Sequence, residues 1–140
     1  MIPSVSASYA IGKNHQVTMD FRAQEDAGYL FHNEGAGDWL TIFIPEKGAV
    51  TATCNNGGGE FSVTVKTGKV FCDGELHSLL LEKKGKTLTL TVDGVTETVT
   101  TEKSSSAANT NSPIFMGGIP GKFMKREYSS RALLPSLKIL

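Results

Sequence analysis

Long apolar runs are missing from this chain of 140 residues. No stretch of about 18 apolar positions occurs, so no segment is expected to insert in a membrane as a spanning helix. The opening MIPSVSASYA has neither the basic nor the apolar region of a signal peptide, and Met1 is expected to be a start placed on a fragment of a longer protein. An excess of one charge is also missing. Lys plus Arg and Asp plus Glu each total 14, so no net field draws the chain toward nucleic acid, and a charged partner must be met by a local patch. Cysteine is scarce. Cys54 and Cys72 match no zinc or redox spacing, which leaves one disulfide in a secreted protein or two thiols in a cytosolic one.

Catalytic signatures are absent in the same way. There is no Gly-x-Ser-x-Gly elbow, no His-Glu-x-x-His and no phosphate loop, and the histidines are scattered at 15, 32 and 77. Glycoside hydrolysis needs two facing carboxylates, whereas Glu60, Asp73, Glu75 and Glu97 fall in turns or on polar strand faces. The chain is therefore not expected to be an enzyme.

What is present is alternation. Short runs of Val, Thr, Ile, Phe and Leu are broken every eight to twelve positions by Gly, Asn or Asp, the pattern of antiparallel strands and hairpins. In TLTLTV, residues 87–92, Leu88, Leu90 and Val92 face one way and the threonines the other. Asp93-Gly94 then supplies a turn, because both residues tolerate positive φ. Further strands read as QVTMDFR, GYLFHN, DWLTIFIP, AVTATC, EFSVTV, LHSLLLEKK, VTETVT, PIFMGG and SLKIL, and nine or ten such strands predict an all-β, two-sheet antiparallel sandwich in one domain, residues 1–140. TEKSSSAANTNS is the one long polar loop, and loops at the rim of a rigid sandwich are where binding concentrates.

His77 begins one of these strands, behind the turn residues Asp73-Gly74. With no base or metal partner in sight, it is expected to be part of the frame, donating to a nearby backbone carbonyl and closing that corner.

The order of GYLFHNEGAGDWLTIFIPEKGAVTATCNNGGGEF, CDGELHSLLL, LTVDG and SPIFMGGIP resembles the landmarks of laminin G-like domains over residues 9–140, with wording closest to the C-terminal domains of laminin α chains. The resemblance implies a jelly-roll sandwich of the lectin, or concanavalin A-like, type. Leu76 stands where the family carries tryptophan before the kept His77, and is expected to leave a smaller but still apolar corner. Ser136 in LLPSLKIL stands at a family cysteine, so the disulfide usual near the C-terminus must be absent.

The resemblance also implies a Ca²⁺ site at the sandwich rim. Asp38 matches its first acid, Asn56 a carbonyl donor, and Asn109 takes the place of the second acid. One carboxylate in place of two implies a weak site, filled at millimolar calcium or not at all. The plain alternative is that Asp38 is a turn residue beside Gly37 and Asn109 is loop solvation. Near such calcium sites the family uses basic residues to contact acidic or sulfated glycans such as heparin and those of dystroglycan. Lys83, Lys84 and Lys86, and Lys122, Lys125 and Arg126, are the basic clusters here, though EKKGK can equally be a solvated hairpin tip.

The function implied is a non-catalytic, secreted module of the extracellular matrix. Its implied partners are glycans, dystroglycan- or integrin-type receptors and neighbouring laminin G-like domains. The alternatives are a purely structural spacer and a lectin-like sugar-binding domain attached to an enzyme.

Overall fold

The computed structural model describes residues 9–23, 25–103, 105–117 and the strand 134–139. Ten strands follow in chain order: β1 (Asn14–Arg22), β2 (Gly28–Glu34), β3 (Trp39–Ile44), β4 (Ala49–Asn55), β5 (Glu60–Lys66), β6 (His77–Lys84), β7 (Thr87–Val92), β8 (Val95–Thr100), β9 (Phe115–Met116) and β10 (Leu134–Ile139). They form two five-stranded sheets, ordered β10-β1-β6-β7-β8 and β5-β4-β3-β2-β9. Every pairing between the strands is antiparallel, and no helix occurs among the described residues. The sandwich expected from alternation is the one observed.

Period-two patterning explains the register. Val17, Met19 and Phe21 of β1, Leu79 and Leu81 of β6, and Leu88, Leu90 and Val92 of β7 turn inward. They form one core with Leu40, Ile42, Ile44, Val50, Ala52, Val63 and Val65 of the other sheet. Each of these Val, Leu, Ile, Phe and Met side chains contributes about 1.5–3 kcal/mol on burial. On the opposite face of β7 the threonines pair across to β8, Thr87 with Thr100, Thr89 with Thr98 and Thr91 with Thr96, at 2.8–3.3 Å between hydroxyls. The β7–β8 turn has positive φ at both Asp93 (48°) and Gly94 (84°), as a tight hairpin with right-handed twist requires.

Alternation fails in β2, which is buried along its whole length. Leu30 and Phe31 both enter the core, with the register to β3 shifting between Tyr29 and Phe31, while Tyr29 lies outside that core against Phe43. A strand buried on both faces reads as a continuous apolar run, as GYLF does.

His77 is part of the frame, but its partners differ from those expected. Its Nδ1 lies 2.6 Å from Asp93 Oδ2 and its Nε2 2.9 Å from Asp73 Oδ1, so two carboxylates hold the ring rather than a backbone carbonyl. Asp93 also accepts the Ser78 N–H at 2.9 Å. Burial works against the imidazolium, yet the hydrogen bonds and charges of Asp93 and Asp73 outweigh it and raise the His77 pKa above its ordinary value. Asp73 is held below the carboxylate range by the Glu75 N–H and then by His77. The apolar side of the corner is also built differently. Leu76 is 51% exposed and does not fill it; the rings of Phe71 and Phe21 pack on His77 at 5.0 and 5.6 Å between centroids.

Cys54 and Cys72 form no disulfide, because Cys54 is buried in the core on β4 and Cys72 is exposed in the turn before β6. Burial pushes the Cys54 thiol up to about 12.

Candidate functional site at the sandwich rim

Three segments from different parts of the chain converge at one end of the sandwich. The first is the β2–β3 turn, where Gly35 donates its N–H to the Asp38 carbonyl at 2.9 Å. The second is the β4–β5 turn NNGGG, in which Asn55 Oδ1 accepts the N–H groups of Gly57 and Gly59 at 2.7 and 3.3 Å. The third is the polar loop after β8, which Asp38 reaches directly: its Oδ2 accepts the Asn109 N–H at 2.7 Å.

Two glycines make this convergence sterically possible. A Cβ on Gly35 would lie 2.1 Å from the Asn109 carbonyl oxygen, so only glycine lets the two backbones meet. At Gly57, with φ +101°, an added Cβ would sit 3.4 Å from Asp38 Oδ1 and 3.8 Å from Ser105 Oγ, which places the carboxylate, a hydroxyl and this turn side by side. A pocket of about 120 Å³ beside them is lined by Glu34, Gly35, Gly37, Asp38 and Trp39. Glu34 turns its carboxylate to His32 Nε2 at 2.8 Å.

The residues expected at a rim site therefore do come together, with different duties. Asp38 and Asn109 touch. Asn56 is buried, and its side chain belongs to the frame: Nδ2 donates to the carbonyls of Gly85 and Ser105, both at 3.3 Å, and Oδ1 accepts from Cys54 Sγ at 3.5 Å. Its side-chain oxygen thus faces inward.

The basic turn splits in the same way. Lys83 is 1% exposed, and its Nζ donates to the carbonyls of Gly12, Lys13, Gly85 and Ser106 at 2.9–3.1 Å. It continues the inward phase of His77, Leu79 and Leu81 and cannot meet a glycan, which corrects its place in the expected cluster. Lys84 points out, 3.9 Å from Glu82, and Lys86 is half-buried. Lys122, Lys125 and Arg126 lie outside the described residues. The sequence reading missed Lys103, whose side chain crosses the NNGGG turn within 3.0–3.4 Å of where a Gly59 Cβ would be. The only signal was its place in the same polar loop as Asn109.

Comparison with known proteins bears on the family. A family model described as Laminin G domain matches residues 21–135. The chain belongs to the laminin G domain family. This laminin G domain is 31% identical over 132 residues to laminin subunit alpha-1 of Mus musculus, covering 91% of the chain but 4% of that protein. Its fold matches the solved mouse laminin alpha1 domains LG4-5 with a TM-score of 0.81 at 28% identity, over 99% of this chain and 39% of that one. A sialidase CBM40 of Ruminococcus gnavus, solved with alpha2,3 sialyllactose, shares the fold at a TM-score of 0.64 and 12% identity, over 98% of this chain and 87% of that one.

Proposed function

We propose that this laminin G domain is a non-catalytic extracellular binding module whose rim around Asp38 holds a weakly bound Ca²⁺ ion and, beside it, an acidic or sulfated glycan of a cell-surface receptor. The observation that carries the reading is the convergence of the Asp38 carboxylate, the Gly57 turn, Ser105 Oγ and Asn109 at one rim. The donors there are oxygens of mixed type, which suit calcium's loose coordination and not a soft metal. Among the described residues no three His, Cys, Asp or Glu side chains are placed to hold a metal ion together, so an ion would rest mainly on Asp38, hydroxyl and main-chain oxygens. A single carboxylate means weak affinity. Lys84, Lys86 and Lys103 are the described cations that would meet sulfate or carboxylate groups near this end, through interactions that salt screens.

A second reading has its own support. The 2.7 Å bond from Asn109 to Asp38 is what a purely structural loop clamp looks like, and it favours a spacer domain.

The two separate on metal titration. Trp39 is the chain's one tryptophan and adjoins Asp38, so terbium bound there should show sensitised luminescence that calcium displaces. The expected result is such a signal, lost in Asp38→Asn, together with salt-sensitive heparin retention that has a calcium-dependent part. No signal in the unaltered protein, and elution from heparin at low salt with or without calcium, would leave the spacer reading standing.

A further inference from the structure

Lys83 is a buried cation whose ammonium, among the described residues, bonds no carboxylate, only the four carbonyl oxygens of Gly12, Lys13, Gly85 and Ser106. A buried ammonium is tolerated only where acceptors replace its water, and three N–H donors shared among four carbonyls replace it fully. These carbonyls belong to three separate segments: the chain entering β1, the β6–β7 turn, and the polar loop that carries Asn109. The third is the informative one. That loop has no large apolar side chain between Thr101 and Asn111 to pin it; only the small Ala108 enters the core, and the loop's other ties are polar. Ser106 O accepts from Lys83, Ser105 O from Asn56, Ala108 pairs with Gly12 through both backbone bonds, and Asn109 N–H reaches Asp38.

We propose that Lys83 is the positioning residue of the rim: its ammonium, acting as a tethered internal cation, fixes the loop 105–109 against the NNGGG turn and so sets the geometry at Asp38. The metal-binding part of this inference rests on the calcium reading above; the loop-fixing part does not. Without the ammonium, the Gly12 carbonyl keeps the Ala108 N–H, that of Lys13 keeps the Gly85 N–H and that of Gly85 keeps the Asn56 amide, while among the described residues the Ser106 carbonyl is left with no donor, and the least costly escape is for the segment that carries it to move. That segment is the loop, since Lys13 and Gly85 adjoin β1, β6 and β7 and are tied to each other by the Gly85 N–H. The nearby Asn56 amide, which shares the Gly85 carbonyl, donates to the Ser105 carbonyl at 3.3 Å and leaves that of Ser106 to Lys83.

The test uses Lys83→Met, which keeps length and loses charge and donors, and Lys83→Gln, which keeps two N–H donors and serves alone if the methionine protein does not fold. Amide hydrogen exchange is measured without added metal, and terbium affinity through Trp39. The expected result is exchange at 105–110 faster by at least about tenfold in Lys83→Met and by less in Lys83→Gln, with β7 and the inner residues of β6 unchanged, and a matching loss of terbium affinity. Exchange at 105–110 that stays as in the unaltered protein, or that accelerates evenly across the domain, would overturn the proposal. If the unaltered protein binds no terbium, the calcium reading fails while the exchange profile still decides the role of Lys83.

Discussion

The carboxylate of Asp38 accepts the main-chain N–H of Asn109 at 2.7 Å, across 71 positions of sequence. That contact depends on the neighbouring Gly35, where the backbone passes so close to Asn109 that a methyl group has no room. Gly35→Ala is therefore expected to push the Asn109 segment off Asp38, costing about 1–3 kcal/mol and lowering terbium affinity. Gly37→Ala is the control, because a Cβ there meets nothing within 4 Å, although its φ of +122° carries a strain of its own. Urea unfolding gives the stability, and equal terbium affinity in the two variants would refute the steric account.

The corner at His77 makes stability depend on pH in two directions. The His77 pKa is raised on folding, so its contribution is full below the ordinary value of 6.5 and is lost as pH climbs through the higher folded value. Asp73 is lowered, so its contribution is present above the ordinary 3.8 and is lost as pH falls through the lower folded value. The pair thus stabilises most between those limits. His77→Gln should flatten the alkaline fall; the comparison must be with the unaltered protein, since burial and then Lys83 lower the His15 pKa, which acts in the opposite sense. Thermal midpoints at pH 5, 7 and 9 read this out, and identical profiles would show that the two carboxylates do not hold a charged ring.

Neighbouring residues of β7 should respond in opposite ways. Leu90 is fully buried, and Leu90→Ala is expected to cost about 2–5 kcal/mol. Thr91, one step along, faces out and pairs with Thr96 at 2.8 Å; Thr91→Ala should cost about 0.2–1 kcal/mol. Chemical denaturation distinguishes them, and comparable losses would mean the register is wrong.

Thiol labelling should separate the cysteines. Cys72 is exposed and should react in the folded protein, whereas Cys54, buried and with its thiol pushed up to about 12, should react only on unfolding. Two fast equivalents from folded protein would contradict the position of β4 in the core.

Much of the strand plan was legible because a half-buried strand writes its orientation into every second residue. Leu88, Leu90 and Val92 could be assigned to the core, and Asp93-Gly94 to a hairpin, from the letters alone. The landmarks that resemble laminin G-like domains also led to Asp38 and Asn109 as neighbours, which the fold brings into contact. The same letters misled at Leu76, taken as an apolar filler and found exposed, and at Lys83, grouped with Lys84 and Lys86 as one basic turn. A lysine on the inward phase of a strand end looks like any other lysine until the carbonyls that receive it are placed.

Alternation and turn chemistry are local, so sequence by itself determined the all-β class, most strand limits and the side each strand shows to the core. What only the tertiary structure decided is which polar groups found partners across long separations. His77 took Asp73 and Asp93, Lys83 took four carbonyls from three segments, Asn56 turned inward, and Asp38 captured the Asn109 N–H. The reason is physical: a buried polar group must be satisfied, and its partner is set by which backbone atoms the packed sheets and crossing loops happen to bring within about 3 Å.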